Sequence, residues 1–155
     1  MRGPLIIFMT TAFLLAACAL PEPMGDDVVA GTGAGIRTDR QTFTPMDSSS
    51  VGIGLTPVYA PGKSYKPVEY QWRTNYCYFT AFSKDEEELR ELGPDVRREG
   101  GRVFWTYDPV DIDQKKPPVE IILRVREANT QNVLGEARLR LEWTDRDTAV
   151  VKRPR

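Results

Sequence analysis

The chain of 155 residues contains no histidine. That excludes a Ser-His-Asp or Cys-His nucleophile and any histidine-ligated zinc centre. Its two cysteines, Cys18 and Cys77, are too few for a thiolate zinc cluster. It carries no excess of one charge: 21 Lys+Arg stand against 22 Asp+Glu, a formal net charge of −1. The basic footprint of a nucleic-acid-binding protein is missing, so no nucleic-acid partner is expected. The sequence also lacks nucleotide-binding and acyl-transfer motifs. Gly31-Thr32-Gly33-Ala34-Gly35 has neither the strand before it nor the glycine spacing of a dinucleotide loop. Pro61-Gly62-Lys63-Ser64 ends like a phosphate-binding loop, but Pro57 occupies the position of its first glycine. Ser48-Ser49-Ser50 has no Gly-x-Ser-x-Gly elbow around it. No cofactor and no enzymatic activity are expected.

The amino terminus is informative. Arg2 gives a positive start, Leu5–Ala17 is free of charge, and Leu15-Ala16-Ala17 ends the run with small side chains. This is the layout of a secretory signal peptide, too short for a bilayer span of about 20 apolar residues. The block Leu15-Ala16-Ala17-Cys18 resembles the lipobox of bacterial lipoproteins. The resemblance implies cleavage before Cys18, a diacylglycerol on its sulfur and a membrane partner through that lipid. It places the protein in the bacterial cell envelope, exported and membrane-anchored. The alternative is an ordinary secreted protein with a chance cysteine. Cys77 then has no intrachain partner, and its aromatic setting, Tyr76-Cys77-Tyr78-Phe79, reads as a small buried hydrophobe.

The expected organisation is a signal peptide over 1–17, a lipid-anchored flexible spacer over 18–34, one domain over 35–152 and a tail over 153–155. Period-two alternation dominates the domain. Val68, Tyr70 and Trp72 alternate with Glu69, Gln71 and Arg73. Val119, Ile121, Leu123 and Val125 alternate with Glu120, Ile122, Arg124 and Arg126, and Ala137, Leu139, Leu141 and Trp143 with Arg138, Arg140 and Glu142. One wet and one dry face per strand is the mark of an antiparallel sheet. The last two segments predict a hairpin around Asn129-Thr130-Gln131. Charge sets its register: Arg124 opposite Glu136 and Glu120 opposite Arg140 put Leu123 against Ala137 and Ile121 against Leu139. A slip to the next register would oppose like charges. The paired charges read as a solubilising surface. Ser83 and Glu86 have the spacing of a capping box and Gly93-Pro94 a stop signal, so a short helix is expected near 84–92.

Ile36-Arg37-Thr38-Asp39-Arg40-Gln41-Thr42-Phe43-Thr44-Pro45 resembles the opening of bacterial immunoglobulin-like domains, in which a strand leads into Thr-Asp-Lys/Arg, an aromatic and a proline. The closing hairpin is similar to that of PKD-type modules. The resemblance implies an all-β, single antiparallel Ig-like sandwich of about seven strands with Trp72 in its core. A closed lipocalin-like barrel is the structural alternative.

Three kinds of residue are candidates for function. Tyr59 and Tyr65 are loop aromatics suited to ligand binding, and recognition is expected on loops 57–67, 83–101 and 108–118. Asp108, Asp111 and Asp113 are weak calcium candidates that would have to borrow oxygens such as those of Glu69 or Asp85; a polar loop is the competing reading, and no metal site is assigned. The expected role is a non-catalytic module binding an envelope protein or polymer. The alternatives are a protease inhibitor or regulator using Ig-like loops, and a carboxylate-dependent wall hydrolase.

Overall fold

A computed structural model describes residues 27–46, 50–60, 66–83, 88–108, 115–144 and 147–152. Twelve strands follow in order: β1 Asp27–Ala30, β2 Gly35–Thr38, β3 Thr42–Phe43, β4 Ile53–Val58, β5 Val68–Thr74, β6 Tyr78–Phe82, β7 Leu89–Gly93, β8 Asp95–Arg98, β9 Val103–Thr106, β10 Val119–Glu127, β11 Val133–Trp143 and β12 Ala149–Lys152. They form two antiparallel six-stranded sheets, ordered β1-β2-β4-β9-β6-β7 and β3-β12-β11-β10-β5-β8. Neither sheet closes on itself, so the architecture is a β-sandwich and not a barrel.

The hairpin β10–β11 takes the register that charge complementarity demands. Leu123 faces Ala137, Ile121 faces Leu139, Arg124 faces Glu136 and Glu120 faces Arg140. The Arg124 Nε to Glu136 Oε2 distance is 2.7 Å. Glu120, however, is met by Arg138 on the diagonal at 3.3 Å, while Arg140 turns to Glu142 on its own strand. Every inward residue of β10 is buried, and Leu123, Leu139 and Leu141 are fully so. Burial of each such side chain stabilises the fold by about 1.5–3 kcal/mol. From the opposite sheet Ile53, Leu55, Phe79 and Trp105 meet them, and Trp72 sits wholly buried in the core as expected.

Four expectations require correction. The short helix near 84–92 does not form over its described part: Leu89–Gly93 is edge strand β7, paired with β6 through Phe82 and Leu89. The Ser83 hydroxyl accepts from the Glu88 N–H, five residues on, so it closes a hairpin loop rather than capping a helix. Among the described residues the strands number twelve rather than about seven, because short strands flank those legible from alternation. Gln71, assigned to the wet face, is buried: its amide donates to Asp95 Oδ1 at 3.0 Å and its oxygen accepts from Arg126 Nε at 3.0 Å. Finally, the expected spacer is folded from Asp27 onward. After β1 the glycine-rich segment crosses to the other sheet, where Thr32 and Glu136 exchange backbone hydrogen bonds of 2.8 and 2.9 Å. This contact covers the part of β11 that β12 does not reach. Glycine is required there: a Cβ on Gly135 would lie 2.8 Å from the Gly33 carbonyl carbon and oxygen.

The Thr38-Asp39-Arg40 signature also acquires a mechanical meaning. Asp39 Oδ1 accepts from the Gly54 N–H at 2.7 Å, and its other oxygen pairs with Arg102. The Arg102 guanidinium lies across Gly54 and 4.7 Å over the Phe104 ring, which is why Gly54 is buried although its neighbours Ile53 and Leu55 face the core.

Candidate functional site: the two ends of the sandwich

Strand directions sort the candidate residues between two ends. β1 starts beside Thr38 and runs away from it, so the chain enters the sandwich at the end where Thr38, Trp105, Tyr107 and Trp143 lie. The loops after Thr38, Thr74, Thr106 and Trp143 gather at this entry end. The loops after Val58, Phe82, Arg98 and Glu127 gather at the far end. β12 also runs toward the far end, ending at Lys152 beside Arg140.

The entry end is built from aromatics. Trp143 meets Tyr107 edge-on at 5.0 Å and Tyr76 at 6.2 Å, with Trp105 6.1 Å away. Three polar handles of the cluster are tied: Trp143 Nε1 donates to the Pro117 carbonyl at 2.8 Å, Trp105 Nε1 to the Tyr76 carbonyl at 3.0 Å, and the Tyr107 hydroxyl to the Asp147 carbonyl. The Lys116 ammonium covers both Tyr107 and Trp143, 4.5 and 4.3 Å from their centroids. Burial pushes the Tyr107 phenol up, with the Asp147 charge adding to it. This arrangement seals an end of the core. Cys77 stands beside it, half-buried, packed on the core in a left-handed turn with φ of 63°.

Asp108 is exposed at the entry end and accepts a hydrogen bond from the Tyr78 hydroxyl at 3.0 Å. Burial and then this contact push the Tyr78 phenol up to about 12. Asp111, Asp113 and Asp85 lie outside the described residues. Glu69 does not join Asp108: it lies on β5 opposite Arg126, on the outer face toward the far end. Among the described residues no group of three or more His, Cys, Asp or Glu side chains is placed to hold a metal ion.

The far end gathers Tyr59, Tyr70, Val68 and Ala34, all half-buried against the core between the sheets. Tyr65 and Cys18 lie outside the described residues. Burial raises the Tyr70 phenol, and the nearby Tyr59 adds to the effect. At the same end Lys66 pairs with Glu127 at 2.6 Å, and the Thr130 hydroxyl donates to the same carboxylate. The expected loop set is thus divided. Residues 57–60, 66–67 and 99–102 share the far end, whereas residues 108 and 115–118 belong to the entry end. The rest of 83–101 is mostly the edge strands β7 and β8 rather than loop. Sequence reasoning singled out Tyr59 but missed Tyr70, whose place in an alternating strand marked it only as core.

Comparison of the chain with protein-family models, with curated proteins and with solved structures finds no match.

Proposed function

We propose that this protein is a bacterial envelope lipoprotein, anchored by lipid on Cys18, whose Ig-like β-sandwich is a non-catalytic recognition module for an envelope protein or polymer. The lipobox-like Leu15-Ala16-Ala17-Cys18 supports export and anchoring. The observation that carries the recognition reading is the division of the two ends. The chain enters at an end whose aromatic handles are tied internally, and the far end presents half-buried tyrosines beside short loops. A rigid sandwich with recognition at loop ends is a common use of such scaffolds.

The test is a cross-linking capture from host membranes, with the intact lipoprotein as bait and Cys18→Ala as control. The reading expects one species captured by the lipidated bait, lost on Tyr59→Ala and kept on Asp108→Ala. Capture that is indifferent to Tyr59→Ala contradicts far-end recognition. A protease as the captured species would assign the inhibitory form of this activity.

A further inference from the structure

Arg98 is the last residue of β8 and lies opposite Tyr70 on β5, two positions beyond the buried pair Trp72 and Val96. Alternation therefore turns Arg98 toward the interior, where Tyr70 packs on the core. Arginine on a core-facing position is costly unless its five N–H donors are satisfied. They are not: Nη1 is buried without a hydrogen-bond partner, and Arg98 forms no ion pair among the described residues. Arg73, Arg102, Arg124 and Arg138 differ, since each has its own carboxylate. Glu127 is committed to Lys66 and Asp95 to Arg73 and Gln71, and the exposed Glu99 next in the chain makes no ion pair with Arg98.

The surroundings leave room. Gly101, with φ of 95°, carries the chain past the guanidinium: the nearest described atom to a Cβ built there would be Arg98 Nη2 itself, at 3.7 Å. A Cβ on Gly100 would meet no described atom within 4 Å. Tyr70 faces Arg98 across the strands, and its hydroxyl makes no hydrogen bond to a described residue. A planar guanidinium fork on a residue that faces a tyrosine across the strands is a donor set without an acceptor.

We infer that the far end holds an oxyanion site, in which the Arg98 guanidinium and the hydroxyl of the facing Tyr70 receive a carboxylate or phosphate group. The inference deepens the recognition reading by naming the ligand chemistry, and it rests on that reading only for the use made of the site. Binding to purified protein is independent of anchoring and of capture, so the two can fail separately.

The test follows the side-chain Nε–H resonance of Arg98 in the full chain in uncharged detergent. Sodium phosphate and sodium acetate are titrated separately, at ionic strength held constant with sodium chloride. The site predicts a saturable shift with at least one anion. Arg98→Met abolishes saturable binding followed on the Gly101 amide; Arg98→Lys, which keeps the charge but loses the fork, weakens it about tenfold. Tyr70→Phe weakens it about threefold. Saturation by phosphate alone assigns a phosphate ligand, by acetate alone a carboxylate, and by both a shared oxyanion site. Shifts that stay linear with both anions, or that are the same in Arg98→Met as in the parent, overturn the inference and leave Arg98 as a side chain that reaches past the core edge into water. Arg98→Met places an apolar side chain of similar length on a core-facing position, and its unfolding temperature verifies that the fold is kept.

Discussion

Replacing Gly135 by alanine tests the most consequential correction to the sequence reading, that residues 31–34 are a packed strap and not a tether. An added Cβ would lie 2.8 Å from the Gly33 carbonyl carbon and oxygen and 2.9 Å from Ala34 Cβ. The clashing atoms are mostly backbone, so the strap must move. Its displacement breaks the two backbone hydrogen bonds between Thr32 and Glu136. Each contributes about 1 kcal/mol net, and forced repacking adds about 1–2 kcal/mol. The sum, about 3–4 kcal/mol, corresponds to a fall in unfolding temperature on the order of 10–15 °C for a domain of this size. Thermal unfolding followed by tryptophan fluorescence measures it. Gly100→Ala is the internal control: no described atom lies within 4 Å of the new Cβ, so its effect should stay within about 0.5 kcal/mol of the parent. Hydrogen exchange gives a second readout, with the Thr32 amide protected in the parent and exposed in Gly135→Ala. A Gly135→Ala protein as stable as Gly100→Ala, with the Thr32 amide unprotected in both, would refute the strap.

The remaining expectations concern the core, the outer charges and the entry end. Leu123→Ala, at a fully buried position, should cost about 2–5 kcal/mol in chemical denaturation; a loss below 1 kcal/mol would mean the site is not packed core. The hydrogen bond from Arg124, with Arg138 adding to it, holds the Glu136 carboxyl below the usual range. Its stabilising contribution is therefore present above the ordinary glutamate pKa of about 4.3 and is lost as pH falls through the lower folded value. Glu136→Gln should flatten the acid limb of the stability profile; an unchanged limb contradicts the pairing. For Tyr78 the sign is opposite, because its folded pKa is raised to about 12: stability falls as pH climbs above the ordinary phenol value of about 10 and levels off beyond 12. Ultraviolet titration should show Tyr78 among the late-titrating tyrosines, beside Tyr70 and Tyr107, with its own step moved to lower pH in Asp108→Asn.

Alternation and charge carried the sequence reading where strands are long and one face is dry. β5 was legible from Val68 to Thr74, and the β10–β11 register followed from Arg124, Glu136 and Glu120 because a slip would have opposed like charges. The shortest strands were not legible. β1, β3, β8 and β12 have two to four residues each, too few for a period to show, and β3 and β8 are fixed by pairing to strands distant in sequence. The Ser83-to-Glu86 spacing gave a helix signal because local capping chemistry does not report the hairpin partner β6. Glycines at 31 and 33 looked like a tether because a tether and a close backbone crossing use the same residue for different reasons. Arg98 was invisible as a site residue: four residues are too few to reveal a strand, and only the pairing of β8 with β5 sets Arg98 opposite Tyr70.

The central claim of the proposed function is that lipid on Cys18 would hold the far end away from the membrane. Its most direct test is fluorophore quenching by quencher-labelled lipid in vesicles carrying the full lipidated chain. A single label is placed by Asp108→Cys at the entry end or Ala60→Cys at the far end, each with Cys77→Ala. The account predicts strong quenching at residue 108 and little at residue 60. Equal quenching, or stronger quenching at residue 60, would contradict it.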